Sequence, residues 1–315
     1  MATKSSSRRT TQKLPASRRL VMWLFQPWRL LLVAALALTW LLWPQVERSL
    51  PNLEHRDEYR ITAEQVSITP PPRWIPPDLV EKVFARAGFD DSLSLLDPNL
   101  SEKIALAFYT HPWIERLTRV SKSFPAHVRV DVVYRQPVAM VEVLGGGFYP
   151  IDAHGHLLPI EDFAAADVDR YPVIRNISSV PAGHAGDAWG DPAVTGAAEL
   201  AAVLTEPNDS GQTWWSVLGL KRILASSRVA ADETVEDQQF RIETSGGAQI
   251  LWGRSPTTRH PGELTVTQKL ERMAEYHRRY AGFDSSPAPF LIDIRHWQGT
   301  KRSPLADASD GRRLN

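Results

Sequence analysis

His111 to Val143 reads HPWIERLTRVSKSFPAHVRVDVVYRQPVAMVEV, a stretch rich in β-branched residues, several of them in alternation. Val128, Val130 and Val132 alternate with His127, Arg129 and Asp131, a period of two with one apolar and one polar face. That pattern predicts strands of a sheet covered on one side only. Two helices just upstream can supply the cover. Leu79, Val80, Val83, Phe84 and Ala87 recur at helical spacing after Asp78, and Gly88 supplies the stop. The second opens at Asp97-Pro98, an N-cap acid followed by proline in the first turn, and carries Leu100, Ile104, Ala107 and Phe108 on to His111-Pro112. Before both, YRITAEQVSI from Tyr59 reads as a strand, which the prolines at 70, 71, 72, 76 and 77 end. The order β-α-α-β-β is thus expected over residues 59–144.

Toward the N-terminus the charge becomes one-sided. Lys4, Arg8, Arg9, Lys13, Arg18, Arg19 and Arg29 precede the first acid, Glu47, although the whole chain balances 36 Lys+Arg against 36 Asp+Glu. Leu30 to Trp43 is apolar except for Thr39, shorter than the roughly 20 residues that a span requires. Trp28, Arg29, Trp40 and Trp43 supply the interfacial anchors that a spanning helix uses at its ends, so a single transmembrane helix is expected over 29–46. Ala35-Leu36-Ala37 resembles a signal-peptidase box, but LTWLLW continues apolar past it, which favours an uncleaved anchor. The bases then hold the 1–28 tail in the cytoplasm, and the bulk of the chain lies outside the inner (plasma) membrane. Residues 47–58 read as a polar linker.

Downstream, Gly145 to Gly147 mark a boundary, and a second, mixed β-rich domain is expected over 145–299. FYPID and HLLPI flank a turn at Ala153-His154-Gly155, and RYPVIRN adds a strand. A helix starts at Pro192, GLKRILASSRV is a strand candidate, and QQFRIETSGGAQILWG is a hairpin turning at Gly246-Gly247. Val266, Leu270, Met273, His277 and Tyr280 fall at spacings of three and four within a helix over 264–281. FLIDIRHWQG, from Phe290, closes the domain as a strand, with Phe290, Ile292, Ile294 and His296 on one face and Leu291, Asp293, Arg295 and Trp297 on the other. Residues 300–315 read as a disordered tail. The fold class is α+β.

Signs of chemistry are sparse. With no cysteine, disulfides, thiolate metal sites and a Cys nucleophile are excluded. No nucleophile elbow, zinc-protease helix, P-loop or dinucleotide fingerprint occurs. Asp152, His154 and His156, with Glu161 and Asp162 beyond, are the nearest approach to a metal cluster, but the histidines straddle a glycine turn, so a polar hairpin tip is expected. His184 and Asp187 in PAGHAGDAWGD read the same way. No helix start follows Gly145 to Gly147 to hold a phosphate. Asn99, Asn176 and Asn208 head N-x-[ST] triplets of a kind that chance supplies. The basic tail lacks the interleaved aromatic residues of a nucleic-acid binder. No catalytic, cofactor or metal site is expected, nor a nucleic-acid or small-molecule partner.

In order, these segments resemble the bacterial cell-division FtsQ/DivIB family, over about Tyr59 to Gly299. HPWI with the strand pair ending in Arg135, Pro137, Val138 and Ala139 is similar to the family's "hPwI" opening and its R-x-P-V-A junction. YPIDAHGHLLP, with Asp152 and Gly155, resembles its "lvD.dG.v" hairpin, and YPVIRN its "lPvi.g" segment. GGAQILWG, the helix containing Lys269 and Leu270, and finally FLIDIRHWQG against "vDlRy.nG" complete the series. His296 stands where the family prefers Tyr, and Asn176 where it brings a Gly.

The resemblance implies a POTRA domain followed by the family's β domain. It further implies a non-enzymatic, bitopic scaffold of septum assembly that binds small coiled-coil proteins of the FtsB and FtsL type. In the family, the closing strand receives a partner strand by edge addition, which would make Leu291, Ile292, Asp293, Ile294, Arg295, His296 and Trp297 the partner-binding residues. Two other readings stand beside it. One is a POTRA polypeptide-binding module in secretion or envelope assembly. The other is a wall hydrolase using Glu161 and Asp162, although adjacent acids point to opposite faces of a strand.

Overall fold

The computed structural model describes residues 27–49, 56–89, 93–208, 210–226, 234, 238–286 and 288–305. Met1–Arg56 and Asp57–Asn315 form separate compact units.

In the first unit, α1 (Pro27–Ser49) is a helix of 23 residues with Pro44 inside it. Its apolar side chains from Leu31 to Trp43 are exposed, Trp40 and Trp43 among them, as is Trp28. The hydroxyl of Thr39 donates to the carbonyl of Ala35 at 2.8 Å, so that hydroxyl is satisfied within the helix. Among the described residues, no helix is long and apolar enough to cross a membrane. Residues 1–26 of the basic tail and residues 50–55, half of the expected linker, lie outside the described residues, as does the side chain of Arg29.

The second unit opens with the expected order of elements. β1 (Arg60–Ile61) and β2 (Val66–Ile68) replace the single strand read from sequence, because the short turn Ala63–Gln65 interrupts it. Two helices follow, α2 (Leu79–Ala87) and α3 (Leu100–Tyr109), with β3 (Leu93–Ser94) between them pairing with β1. Gly88 ends α2 at φ 65, a left-handed conformation that a side chain disfavours. β4 (Ile114–Ser123) and β5 (His127–Tyr134) complete a three-stranded sheet of order β2-β5-β4. Val128, Val130 and Val132 are buried against Val83, Phe84, Ile104 and Phe108, while His127 and Arg129 face outward. The period-two reading therefore holds.

The change of sheet comes earlier than the glycine run. β6 (Pro137–Val143) pairs with β7 (Phe148–Asp152) and β8 (Val173–Ile177), so the crossing falls at Arg135-Gln136. Gly145 to Gly147, all at positive φ, form the tight turn between β6 and β7 instead of a boundary. Then come α4 (Pro192–Thr205), the single turn α5 (Trp214–Val217), β9 (Leu220–Ala225), β10 (Gln239–Thr244), β11 (Gln249–Arg254), α6 (Val266–Tyr280), β12 (Phe290–Asp293) and β13 (Lys301–Pro304). β6 to β13 form an eight-stranded sheet of order β13-β12-β11-β10-β9-β8-β6-β7.

One row of side chains runs across this sheet in register: Val141, Ile174, Ile223, Ile242, Ile250 and Ile292. All six are 0% exposed, covered by α4 and α6. α4 approaches closely because of Gly196, where an added Cβ would lie 2.7 Å from Cζ of Phe240. Asn176, at the position where the resembled segment brings Gly, takes φ 66. Asn tolerates that conformation better than most side chains, so the departure keeps the backbone.

Candidate functional site

The closing segment splits in two. β12 runs only from Phe290 to Asp293, and Ile294 to Thr300 form a loop. β12 pairs in parallel with β11 on one side and antiparallel with β13 on the other. It is an inner strand. The expected open edge on Leu291 to Trp297 is thus corrected, since Lys301–Pro304 occupies it. The disordered-tail reading is corrected for these residues by the same pairing, and residues 306–315 lie outside the described ones.

The seven residues named from sequence divide by burial. Ile292 and Ile294 are wholly buried core, Leu291 and Asp293 are half-buried, and Arg295, His296 and Trp297 are exposed. Alternation carries only to Ile294, because His296 follows the end of the strand. Asp293 receives Arg295 through two hydrogen bonds of 2.9 and 2.8 Å, and His296 Nε2 lies 3.3 Å away. Burial pushes the Asp293 carboxyl up, but the Arg295 guanidinium outweighs it and holds it below the usual carboxylate range.

α6 fixes the loop that follows. Arg272 donates to the carbonyls of Ile294 (2.8 Å), His296 and Trp297 (3.0 Å), and Trp297 Nε1 donates to Gly262 at 3.0 Å. Beneath it, Lys269 is buried with its ammonium 2.5 Å from Glu263 and 4.8 Å from the centre of the Trp252 ring. Burial pulls the Lys269 pKa down, against the opposing pull of Glu263. Two surfaces flank this corner. A cleft of about 460 Å³ lies between α6 and β13, bordered by Glu275, Arg279, Tyr280, Trp297 and Arg302. On the sheet face opposite the helices, Asn176, Leu224, Gln239, Arg241, Leu251 and Arg295 line a groove of about 540 Å³.

The remaining candidates are structural. Asp152 is buried and accepts from Arg135 at 2.6 Å and from the backbone N–H groups of His154 and His156 at 2.9 Å each. Two motif residues distant from each other's strand, Arg135 and Asp152, therefore form one ion pair. Among the described residues no cluster of His, Asp and Glu is arranged to hold a metal. Asp162 accepts from Trp113 Nε1 at 2.7 Å and from Lys82 at 3.1 Å, joining the two sheet modules, while Glu161 points to solvent. The two acids share no site. Asp187 accepts from the His184 N–H at 2.9 Å and so closes its own loop. β13 escaped sequence reading because Lys-Arg-Ser-Pro has no alternation; its one signal was Gly299, which turns the chain back at φ 122.

Fold and site together define an α+β protein of two sheet modules whose second sheet ends on a short, fully exposed strand. No protein-family model matches the chain. A cell division protein FtsQ from Salinibacter ruber is 25% identical over 243 residues, which span 75% of this chain and 80% of that protein.

Proposed function

We propose that the protein is a non-catalytic, membrane-anchored scaffold of bacterial cell division that binds other division proteins through its extracytoplasmic sheets. The similarity to the Salinibacter ruber FtsQ across three quarters of the chain is the observation that carries this reading. In it, the β-α-α-β-β module is a POTRA domain, and the eight-stranded sheet is the partner-binding β domain. Partners of the FtsB and FtsL type add a strand beside β13, and the exposed Arg295, His296 and Trp297 flank the added strand. The basic tail, the apolar stretch within α1 and the tryptophans at its ends support anchorage in the inner membrane with the N-terminus inside.

The test is photo-crosslinking in the native cells from single positions along Leu291–Trp297 and Lys301–Pro304. Trapping of a small single-pass division protein at these positions is expected. A folded, abundant protein that traps nothing at any of them refutes the reading. A second reading, a POTRA polypeptide-binding module in envelope assembly, is favoured by β4, a strand of ten residues at the edge of the first sheet. Crosslinks from the outer side of β4 to unrelated secreted chains would select it.

A further inference from the structure

β13 carries an unusual set of side chains for a strand that could accept another. All four of its residues, Lys301, Arg302, Ser303 and Pro304, are exposed. The row of aliphatic residues across the sheet ends here, since Ile292 pairs with Arg302. In an antiparallel pair the backbone groups point alternately toward the neighbour and away from it. The Leu305 N–H donates to Pro289 at 3.0 Å, so Ser303 and Lys301 also turn their backbone toward β12. Arg302 and Pro304 turn theirs outward. Pro304 lacks an N–H, which leaves Arg302 as the single outward backbone donor of the strand.

Proline and like charges on an outer strand normally repel further strands. An incoming chain finds little main-chain pairing here and must offset two cations. Arg302 lies on the helix side, its guanidinium 3.7 Å from the Phe290 ring centre and 5.1 Å from that of Tyr280. Arg279 adds positive charge to the same cleft, Arg272 is engaged by carbonyls, and Glu275 is the one acid lining it. Lys301 lies on the opposite face, paired with Asp293, whose carboxylate already holds Arg295. Among the described residues, neither Lys301 nor Arg302 has a carboxylate of its own.

We propose that β13 is a charge-selective port, closed to ordinary strands and open to a partner segment carrying two adjacent carboxylates. In a strand, neighbouring residues point to opposite faces, so one carboxylate meets Lys301 on the open face and the next meets Arg302 on the helix side. The repulsive element supplies specificity and the acidic pair lifts it. This deepens the edge-addition reading above and rests on it.

The test places a photo-crosslinking residue at Ser303 of the full-length protein in its own cells, with the trapped peptide sequenced by mass spectrometry. The expected result is a peptide with adjacent Asp or Glu residues at the crosslinked site. Its yield should fall about tenfold in Lys301→Glu/Arg302→Glu, because two cross-strand attractions become repulsions. Lys301→Gln/Arg302→Gln should give an intermediate loss, and both pairs of substitutions lie on exposed positions that leave the core intact. A trapped peptide without acids, or a yield unchanged by charge reversal, overturns the port. So does trapping along Arg295–Trp297 with none at Ser303, which would leave the scaffold reading standing. No trapping at any of these positions ends both.

Discussion

Lowering the pH should weaken the protein through one buried histidine. His111 sits between α3 and β4, 7% exposed, and its Nδ1 accepts the Trp113 N–H at 3.4 Å, which requires the neutral ring. Burial, helped by the positive charge of Arg86 and opposed by Asp162, lowers its pKa from 6.5 to about 4. The unfolded chain therefore binds this proton more readily than the folded one. Stability is complete above pH 6.5, falls as the pH drops from 6.5 to about 4, and changes no further below that on account of this group. The drop is about 3 kcal/mol, because each tenfold loss of proton affinity on folding is worth about 1.4 kcal/mol. Urea unfolding of the full-length protein in detergent micelles, followed by Trp fluorescence at closely spaced values from neutral pH down to that of the folded-state titration, measures it. His111→Gln should flatten the profile in that window. An equally steep profile in His111→Gln, or an NMR titration of His111 with a midpoint near that of a free histidine, would refute the reasoning.

Four further outcomes follow from the packing. Gly196→Ala drives a Cβ into the Phe240 ring and should cost about 1–3 kcal/mol in urea unfolding. Asp152→Ala removes the buried carboxylate that pairs with the half-buried Arg135 and should cost about 3–5 kcal/mol by the same assay. Asn176→Gly should be near neutral, whereas Asn176→Val, forced to positive φ, should lose about 1–2 kcal/mol. Arg272→Ala frees three carbonyls of the closing loop, so amide exchange of residues 294–300 should accelerate with little change in global stability.

Local and periodic features were legible in the chain alone. The alternation of Val128, Val130 and Val132, the helix ending at Gly88, the helix expected over 264–281, and the hairpin at Gly246-Gly247 are each set by residues within a few positions of one another. The helical spacing of Met273 and the strand spacing of Ile292 likewise located core residues, because burial of one face imposes its period on the chain. Tertiary structure decided what depends on pairing between distant strands. PVAMVEV could join the first sheet as easily as the second by pattern alone, and only its hydrogen bonds to β7 and β8 assign it to the second. The closing strand looked terminal because Lys-Arg-Ser-Pro has no apolar period, yet backbone groups pair regardless of side chain, so it could add a strand outside β12. The position of the sheet's edge, and hence of the candidate site, is a property of that last ladder and not of any residue's own preference.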